Sequence, residues 1–364
     1  MKLFGRGYSK KELLTRIGDI SQVGGVKKVI LADGNESGVE AIEFKTGTGL
    51  NFTVLPGRGM DISEANYNGK SLCWRSCTGD INSAYFEPDG LGWLRGFYGG
   101  LLVTCGLTYA GHPCVDDGKE LGLHGRASYI PAKNVNCDGK WEKDEYIIWA
   151  TGKIKEAAVF GDNIMLTRTI SAKLGESKIY INDMVENIGF EKSPHMILYH
   201  INGGFPAVDA NSLLVAPTLK AEPRDDASKV GAKEYYRFQA PTPGFKERCY
   251  FHDMKADSNG YVYAGLINRS FNVGEGFGFY IKYLKKQLPF FVQWKMNGEG
   301  TYVVGIEPAN CFLSNRAKLR EEGRLPFLNP GEKRTYKIEI GVLSNSKEIK
   351  EFENKVPINK MRRV

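Results

Sequence analysis

An acidic residue, Glu307, stands at the end of an apolar stretch, residues 301–306, where the chain would normally enter a core. Burying a carboxylate is costly, so a carboxylate at such a position is paired, is used in chemistry, or lies at the mouth of a cavity. A strand-like run, residues 289–296, precedes it. The position of Glu307 therefore marks a candidate site but leaves these three roles open.

Two of the five histidines stand out by their neighbours. His124 is followed by Gly125 and Arg126, and His200 is followed by Ile201, Asn202 and two glycines. His195 lies five residues before His200, and an odd separation in a strand sends two side chains to opposite faces. Only one of that pair can point into a given cleft, and we expect it to be His200. A lone histidine more often serves as a structural donor than as a catalyst.

Polar residues on two further strand-like segments are candidates for substrate contacts. Arg58 and Asp61 follow a strand and a proline turn, where they form either a local ion pair or, for Arg58, a contact to a sugar hydroxyl. Gln293 and Lys295 share one face of a strand, and Trp294 takes the other. We expect the Gln293 face to offer hydrogen bonds and Trp294 to pack in the core.

Sequence motifs for cofactors and metals are absent. The glycines at 57, 59, 96, 99 and 100 are not followed by a helix pattern, so they do not form a dinucleotide fingerprint. There is no phosphate-binding loop of the Walker A type and no Gly-x-Ser-x-Gly motif. Cys73 and Cys77 have no matching His or Cys pair nearby, and the spacing of His195 and His200 suits chelation poorly. We expect no cofactor and no metal.

The elements that position these residues are mostly strands. Ser9 and Glu12 form a capping-box pattern that predicts a helix over residues 9–22, within an N-terminal helical extension of residues 1–25. Beyond it, alternating segments bounded by Gly, Pro and Asp predict many antiparallel strands without regular helix alternation. Residues 65–120 and 205–250 are irregular, and long structured loops of this kind usually build a site. We predict an all-β fold, a large sandwich with one concave face, as one domain over residues 1–364.

Composition narrows the class of protein. Hydrophobic residues make up 42% and charged residues 25%, which are ordinary globular values. The net charge of +7 is mild and scattered, apart from a basic cluster at residues 360–364, so we expect no nucleic-acid partner. The seven cysteines form no CxxC, and Cys105, Cys249 and Cys311 are predicted to be reduced core residues. No leader-like apolar segment or membrane-length apolar stretch occurs, which predicts a cytoplasmic protein without a membrane partner.

Five segments together resemble the aldose 1-epimerase, or galactose mutarotase-like, superfamily, and in particular an uncharacterised bacterial branch of it. They are residues 53–62, 99–107, 121–126, 199–206 and 293–310, spread over about two thirds of the chain. The resemblance implies a β-supersandwich with an open sugar cleft, no cofactor and a small-molecule carbohydrate as partner. It leaves open the identity of the sugar and the oligomeric state.

The resemblance also implies roles for individual residues. His200 matches the general acid that protonates the sugar ring oxygen, and Glu307 matches the general base on the C1 hydroxyl. We expect the two to face each other across about 5–8 Å, with a sugar ring between them. The residues expected to contact the sugar are Arg58, Asp61, His124, Arg126, Asn202, His252, Gln293, Lys295 and Asn310.

Two other functions are compatible with the same residues. One is a sugar-binding protein that kept the cleft but has no catalytic activity. The other is a different sugar isomerase, epimerase or lyase on the same scaffold, suggested by the five histidines and by Asp253 next to His252. Saturable binding without turnover would identify the first, and a stoichiometric divalent metal would identify the second.

Overall fold

Three antiparallel sheets are the main regular elements of the computed structural model, which describes residues 1–356. The basic cluster at 360–364 and the end of the predicted domain lie outside the described residues, and the single-domain assignment stays a prediction. The eight-stranded sheet contains, in spatial order, Lys133–Glu142, Glu145–Ala157, Asn163–Lys173, Lys178–Asn187, Lys333–Leu343, Phe277–Leu284, Tyr261–Asn268 and Leu213–Val215.

The six-stranded sheet carries the candidate catalytic residues. Its strands, in spatial order, are Thr218–Pro223, Arg248–Met254, Phe290–Asn297, Tyr302–Ala309, Leu198–Gly203 and Val103–Cys105. The five-stranded sheet comprises Gly25–Ile30, Glu40–Lys45, Leu50–Leu55, Asp61–Tyr67 and Lys70–Ser71. Three short ribbons pair Lys2–Leu3 with Arg6–Gly7, Cys114–Asp116 with Lys119–Leu121, and Ser193–Pro194 with Phe327–Leu328.

Helices are few and short in the described part of the chain. The α-helices are Lys10–Leu14, Asp226–Val230, Phe271–Gly274, Arg316–Glu321 and Ser346–Lys355. The 3₁₀ turns are Ile20–Gln22, Gly34–Glu36, Ser83–Tyr85, Gly92–Gly96, Ala127–Tyr129 and Ala232–Glu234. Within residues 1–356 none of the helices is long and apolar enough to cross a membrane.

The first helix is shorter than predicted. The capping box of Ser9 and Glu12 is present, but the helix ends at Leu14 instead of reaching residue 22. Gly18 disfavours helix, and the Asp19 side chain accepts a hydrogen bond from the backbone of Ser21, which starts a separate 3₁₀ turn. Leu13 and Leu14 therefore belong to the helix, whereas Ile20 begins a separate 3₁₀ turn.

Alternating side chains of the sheets form the main core. Buried residues such as Ile148, Ile170, Ile181 and Ile340 of the eight-stranded sheet belong to one cluster with Ile201 and Ile306 of the six-stranded sheet. A second cluster under the 65–120 segment includes Trp93, Phe97, Leu198 and Val292. All seven cysteines are free, and Cys105, Cys249 and Cys311 are buried as predicted.

Candidate functional site

His200 and Glu307 meet because their strands are neighbours in the six-stranded sheet. Strand Leu198–Gly203 pairs with Tyr302–Ala309 in a register that places Ile201 opposite Ile306. In an antiparallel pair this register puts His200 directly opposite Glu307, and side chains directly opposite each other point to the same face. His195 instead contacts the carbonyl of Leu107 and the hydroxyl of Tyr336 in the core. The prediction that only His200 points into the cleft is consistent with this placement.

The imidazole and the carboxyl group are in direct contact. His200 Nε2 and Glu307 Oε1 are 3.3 Å apart, and the two side chains are only 7% and 2% exposed. This corrects the expected separation of about 5–8 Å, because no sugar ring fits between groups at contact distance. Both groups instead line the same cavity, from which a ligand can reach them together.

Burial shifts both pKa values toward the neutral forms. Burial raises the pKa of Glu307 well above its ordinary value, with Glu247 adding to the rise and Arg224 opposing it. Burial lowers the pKa of His200 to about 4. Both shifts favour the neutral forms, a protonated Glu307 carboxyl group beside a neutral His200 imidazole.

Gly305 makes room for the Glu307 carboxyl group. It lies two residues before Glu307 on the same strand and so on the same face. A Cβ atom at Gly305 would lie 2.1 Å from Glu307 Oε1, the oxygen that faces His200, and 3.1 Å from Trp294 Cβ. The absent side chain lets the carboxyl group lie along its own strand, against the histidine.

Gly305→Ala is expected to lower turnover by at least about tenfold while the protein stays folded. The added methyl group forces Glu307 Oε1 away from His200 Nε2, and an acid–base pair that loses its geometry loses much of its 10²–10⁴-fold contribution. Anomer-exchange rates and circular dichroism measure the two effects. Gly7→Ala, at an exposed glycine without a positive φ where a Cβ meets no atom within 4 Å, controls for the substitution itself. Unchanged turnover in Gly305→Ala would show that this contact is not needed.

A cavity of about 560 Å³ opens above the His200–Glu307 pair. The 65–120 segment contributes the aromatic side chains Trp74, Trp93 and Phe97, and strand Phe290–Asn297 contributes Trp294. The rings of Phe97 and Trp294 lie 5.3 and 5.4 Å from the ring of His200. Flat aromatic faces next to an acid–base pair suit the apolar C–H face of a sugar ring.

His124 lies in the same cavity, next to His200. The two rings are 6.0 Å apart, and the Trp93 ring is 4.9 Å from His124. Burial lowers the pKa of His124 well below its ordinary value, and His200 and His112 add to this effect. Within the described residues, its buried Nδ1 has no hydrogen-bond partner. His124 is therefore a neutral imidazole with hydrogen-bonding capacity to spare.

The backbone at His124 is held in an unusual conformation. His124 has a φ of +58° and Gly125 a φ of +73°, a region that L-residues rarely adopt. A Cβ at Gly125 would also lie 2.4 Å from the Tyr109 carbonyl oxygen. The turn is fixed by hydrogen bonds from His124 N to Gly111 O and from Gly106 N to His124 O. Local strain therefore places the His124 ring in the cavity wall.

A charged corner of the cavity was not predicted from the sequence. It consists of Arg224 and Glu247, whose Nη2 and Oε1 atoms are 2.8 Å apart, with Arg224 Nε also donating to Asp225. Trp294 Nε1 donates to Glu247 Oε2 at 3.0 Å. The corner comes from the irregular 205–250 segment, in which no sequence pattern distinguished these charges from surface residues.

Arg58 and Asp61 do not line the cavity. Arg58 is fully buried, and its Nε, Nη1 and Nη2 atoms donate to the carbonyls of Ser128, Ile81 and Gly96. Asp61 accepts hydrogen bonds from Thr104 and pairs with Arg168 rather than with Arg58. Both residues hold the loops of the fold together, which corrects their expected contact with substrate.

The two faces of strand Phe290–Asn297 have the opposite roles from those predicted. Trp294 faces the cavity, whereas Gln293 donates to the Tyr235 carbonyl and Lys295 to the carbonyls of Glu234 and Arg237. His252 lies on the Gln293 side, with Nε2 3.2 Å from Gln293 Oε1. Burial lowers the pKa of Lys295 to about 8. Gln293, Lys295 and His252 therefore tie the 231–240 segment to the back of the sheet.

Three more predicted contact residues lie outside the cavity lining. Arg126 is exposed, with its guanidinium 5.6 Å from the Phe86 ring. Asn310 bridges the backbone of Ile197 and His195 and so fixes the entry to the His200 strand. Asn202 shares the face of His200, but its amide donates to the carbonyls of Gly99 and His200. The last two position the strand rather than line the cavity.

Neither a metal-ligand cluster nor cavity size marks a site within residues 1–356. No group of three or more His, Cys, Asp or Glu side chains is arranged there to hold a metal ion. A larger cavity, about 930 Å³, lies against helix Ser346–Lys355 and contains none of the predicted site residues. Size alone therefore does not identify the functional cavity, whereas the buried acid–base pair does.

Residues 36–342 match a protein-family model described as a domain of unknown function, DUF4432. The chain belongs to this family. No curated protein matches it.

Among solved structures, the chain is similar to a candidate aldose 1-epimerase from Klebsiella pneumoniae. The two share 27% sequence identity at a TM-score of 0.86, over 91% of this chain and 86% of the other. A galactose mutarotase-like protein from Clostridium acetobutylicum matches at a TM-score of 0.61 and 14% identity, over 89% and 99% of the two chains. Galactose 1-epimerase from Lactobacillus acidophilus matches at a TM-score of 0.52 and 12% identity, over 88% and 99%.

These similarities confirm two of the sequence-based predictions. The fold is the mainly β, galactose mutarotase-like sandwich, and the resemblance to that superfamily and to an uncharacterised branch of it is correct. The last two matches are below 25% identity and so bear on the fold alone. The activity has to be argued from the site.

Proposed function

We propose that this protein is an aldose 1-epimerase-like isomerase, which interconverts the two anomers of a sugar. The observation that carries the proposal is the buried contact between His200 and Glu307 at the floor of an aromatic cavity. Ring opening of an aldose removes a proton from the C1 hydroxyl and delivers one to the ring oxygen. Both oxygens are bonded to C1, so an acid and a base in contact with each other can reach both.

The reaction needs no net gain or loss of protons. As the ring opens, the C1–O5 bond breaks, the C1 aldehyde forms, one member of the pair takes the hydroxyl proton and the other protonates O5. Rotation about C1–C2 presents the other face of the aldehyde, and the reverse transfers close the ring. A proton shift between Glu307 and His200 gives either member either role, including the roles implied by the resemblance.

The rest of the cavity has the features of a sugar site. Trp74, Phe97 and Trp294 offer apolar faces, and His124, Arg224 and Glu247 offer hydrogen-bonding groups. A charged corner beside aromatic walls matches a ring with one apolar face and some hydroxyls. The similarity to a candidate aldose 1-epimerase from Klebsiella pneumoniae, at 27% identity, supports the same reaction class.

A direct test measures anomer exchange by NMR for a panel of common aldoses, with and without the protein. At least one sugar is expected to exchange faster than in buffer. Saturable binding without acceleration for any sugar would replace the proposal with a non-catalytic sugar-binding protein. Catalysis at another carbon, seen as a new sugar in the product spectrum, would replace it with a different epimerase.

The pH dependence of turnover is expected to have an unusually acidic lower limb. Because the pKa of His200 is lowered to about 4, the pair gains its second proton, and loses its base, only near that pH. The raised pKa of Glu307 keeps its carboxyl group protonated toward the alkaline side. The pH profile of kcat/KM, with circular dichroism to confirm folding, measures both limbs. A lower limb near the ordinary histidine value of about 6.5 would contradict the burial argument.

A further inference from the structure

The cavity is more apolar than an unsubstituted sugar requires. Most of its wall is carbon, and it includes Leu91, Leu94, Leu123, Leu313 and Met296 in addition to the aromatic rings. Each sugar hydroxyl that is taken from water needs a hydrogen-bond partner in the site, so a largely carbon wall is poorly matched to a hydroxyl-covered ligand.

Two leucines at this cavity are unusually exposed. Leu91 and Leu94 are 58% and 47% exposed, although both line the cavity and flank the buried Trp93. Exposed apolar side chains beside a binding cavity are typical of a surface that a ligand covers. The two leucines and Trp93 are defined here as the leucine rim.

The leucine rim and the charged corner are separate parts of the cavity lining. Glu247 contacts Trp294, whose ring lies 6.2 Å from the ring of Phe97. Phe97 in turn stacks on Trp93 of the rim, with the two rings 4.7 Å apart. Phe97 and Trp294, the two rings beside His200, therefore connect the corner to the rim. A ligand over the acid–base pair that reaches both ends meets polar groups at the corner and carbon at the rim.

The charges of the cavity lining disfavour an anionic ligand. Arg224 already pairs with two carboxylates, Asp225 and Glu247, which leaves this corner with a net negative charge. Burial holds Glu307, His124 and His200 in their neutral forms. His112 is the remaining titratable histidine of the lining, and it is exposed. A phosphate or carboxylate on the sugar would add a second negative charge without gaining a free cation.

We propose that the site takes an uncharged sugar that carries an apolar substituent away from C1, with that substituent packed on the leucine rim. The inference rests on the proposed function for the placement of C1 at His200 and Glu307. The substrate class is a neutral aldose with a deoxy, alkyl or aryl group that contacts the leucine rim rather than the charged corner.

The test compares three ligands in both the glucose and the galactose series: the parent sugar, its 6-O-benzyl ether and its 6-carboxylate. Quenching of tryptophan fluorescence measures binding, since Trp74 and Trp294 line the cavity. The ether is expected to bind about tenfold more tightly than the parent in at least one series, and the carboxylate about tenfold more weakly. All three keep a free C1 hydroxyl, so anomer exchange is measured on the same samples.

The leucine rim is tested with the double variant Leu91→Ser and Leu94→Ser. Both side chains are largely exposed, so the fold should tolerate the change, and the advantage of the ether over the parent should fall to about twofold. Val159→Ser, at a residue 85% exposed and outside the cavity lining, is the matched control and should keep the full advantage. An advantage that survives in the double variant would overturn the assignment of the rim.

The outcomes separate this inference from the proposed function. Tight binding of the ether without any anomer exchange would support the substrate class and contradict the isomerase. Exchange of the parent sugars with ethers bound no better than the parents, or with carboxylates bound as well, would support the isomerase and overturn the substrate class. Failure of all six ligands to bind would overturn the substrate class as well.

Discussion

Glu307→Gln is expected to lower the rate of anomer exchange by about 10²–10⁴-fold, the usual contribution of a positioned acid or base. Glutamine has nearly the shape of a protonated glutamic acid, so the contact with His200 and the cavity wall should persist. What the variant lacks is the exchangeable proton that moves between the C1 hydroxyl, the pair and the ring oxygen. Turnover should therefore fall through kcat, with a smaller change in KM.

The same substitution is expected to leave the protein as stable or more stable at neutral pH. Burial raises the folded-state pKa of Glu307, so its contribution to stability is fully present below the unfolded pKa of about 4.5 and is lost as pH rises through the folded pKa. Glutamine does not ionise and carries no such loss. Urea denaturation at several pH values should show that the free energy of unfolding of the variant rises relative to that of the wild type as the pH increases.

Glu247→Gln is the matched control within the same cavity. Glu247 is an exposed carboxylate that pairs with Arg224 and accepts from Trp294, so its replacement should act mainly on KM. A Glu307→Gln variant that keeps turnover within a few-fold of the wild type would refute the acid–base role. Equal losses of kcat in both variants would indicate a general electrostatic effect rather than proton transfer.

The pairing of His200 with Glu307 shows what strand patterns can predict. Both residues lie at the ends of strand-like apolar runs, and the glycines and polar residues around them marked strand ends near a cavity. Family resemblance then gave them complementary roles. The contact distance was not predictable, because it depends on the register of two strands about a hundred residues apart and on the missing side chain of Gly305.

Alternation gives two faces of a strand but does not say which one meets the cavity. On strand Phe290–Asn297 it separated Gln293 and Lys295 from Trp294, as observed, but the polar face was assigned to the sugar. The backbone carbonyls of residues 234, 235 and 237 provide partners for those polar groups, and they come from a segment without a regular pattern. The wrong prediction for Arg58 has the same explanation, since three carbonyls distant in sequence accept hydrogen bonds from its guanidinium.

Arg168→Met is expected to lower the free energy of unfolding by about 3–5 kcal/mol, the largest effect on stability that we predict. Arg168 is fully buried and pairs with Asp61 at 2.7 Å and with Asp183 at 2.7 Å. Asp183 also accepts the hydroxyl of Tyr199, the residue before His200. Methionine fills a similar volume but leaves two carboxylates buried without a cation, which is costly in a low-dielectric interior.

Lys173→Met is the control on the same strand. Lys173 pairs with Glu145 at 2.8 Å, but both side chains are substantially exposed, so the loss should be about 0–1 kcal/mol. Urea denaturation of both variants measures the difference. A similar small loss for Arg168→Met would mean that the buried carboxylates are protonated or solvated when the guanidinium is absent.

Lowering the pH should partly restore the stability of Arg168→Met, because the pKa of the Asp61 carboxyl group is higher in the folded protein than in the unfolded chain. Burial already raises its folded-state pKa to about 6, against the opposing pull of Arg168, and removal of the guanidinium raises it further. A raised carboxyl pKa contributes stability that is full below the unfolded pKa and is lost as pH rises through the folded value. The deficit of the variant should therefore shrink between pH 7 and pH 5. Adding Asp61→Asn and Asp183→Asn should recover part of the stability at pH 7, because the carboxylates, rather than the missing arginine contacts, cause the loss.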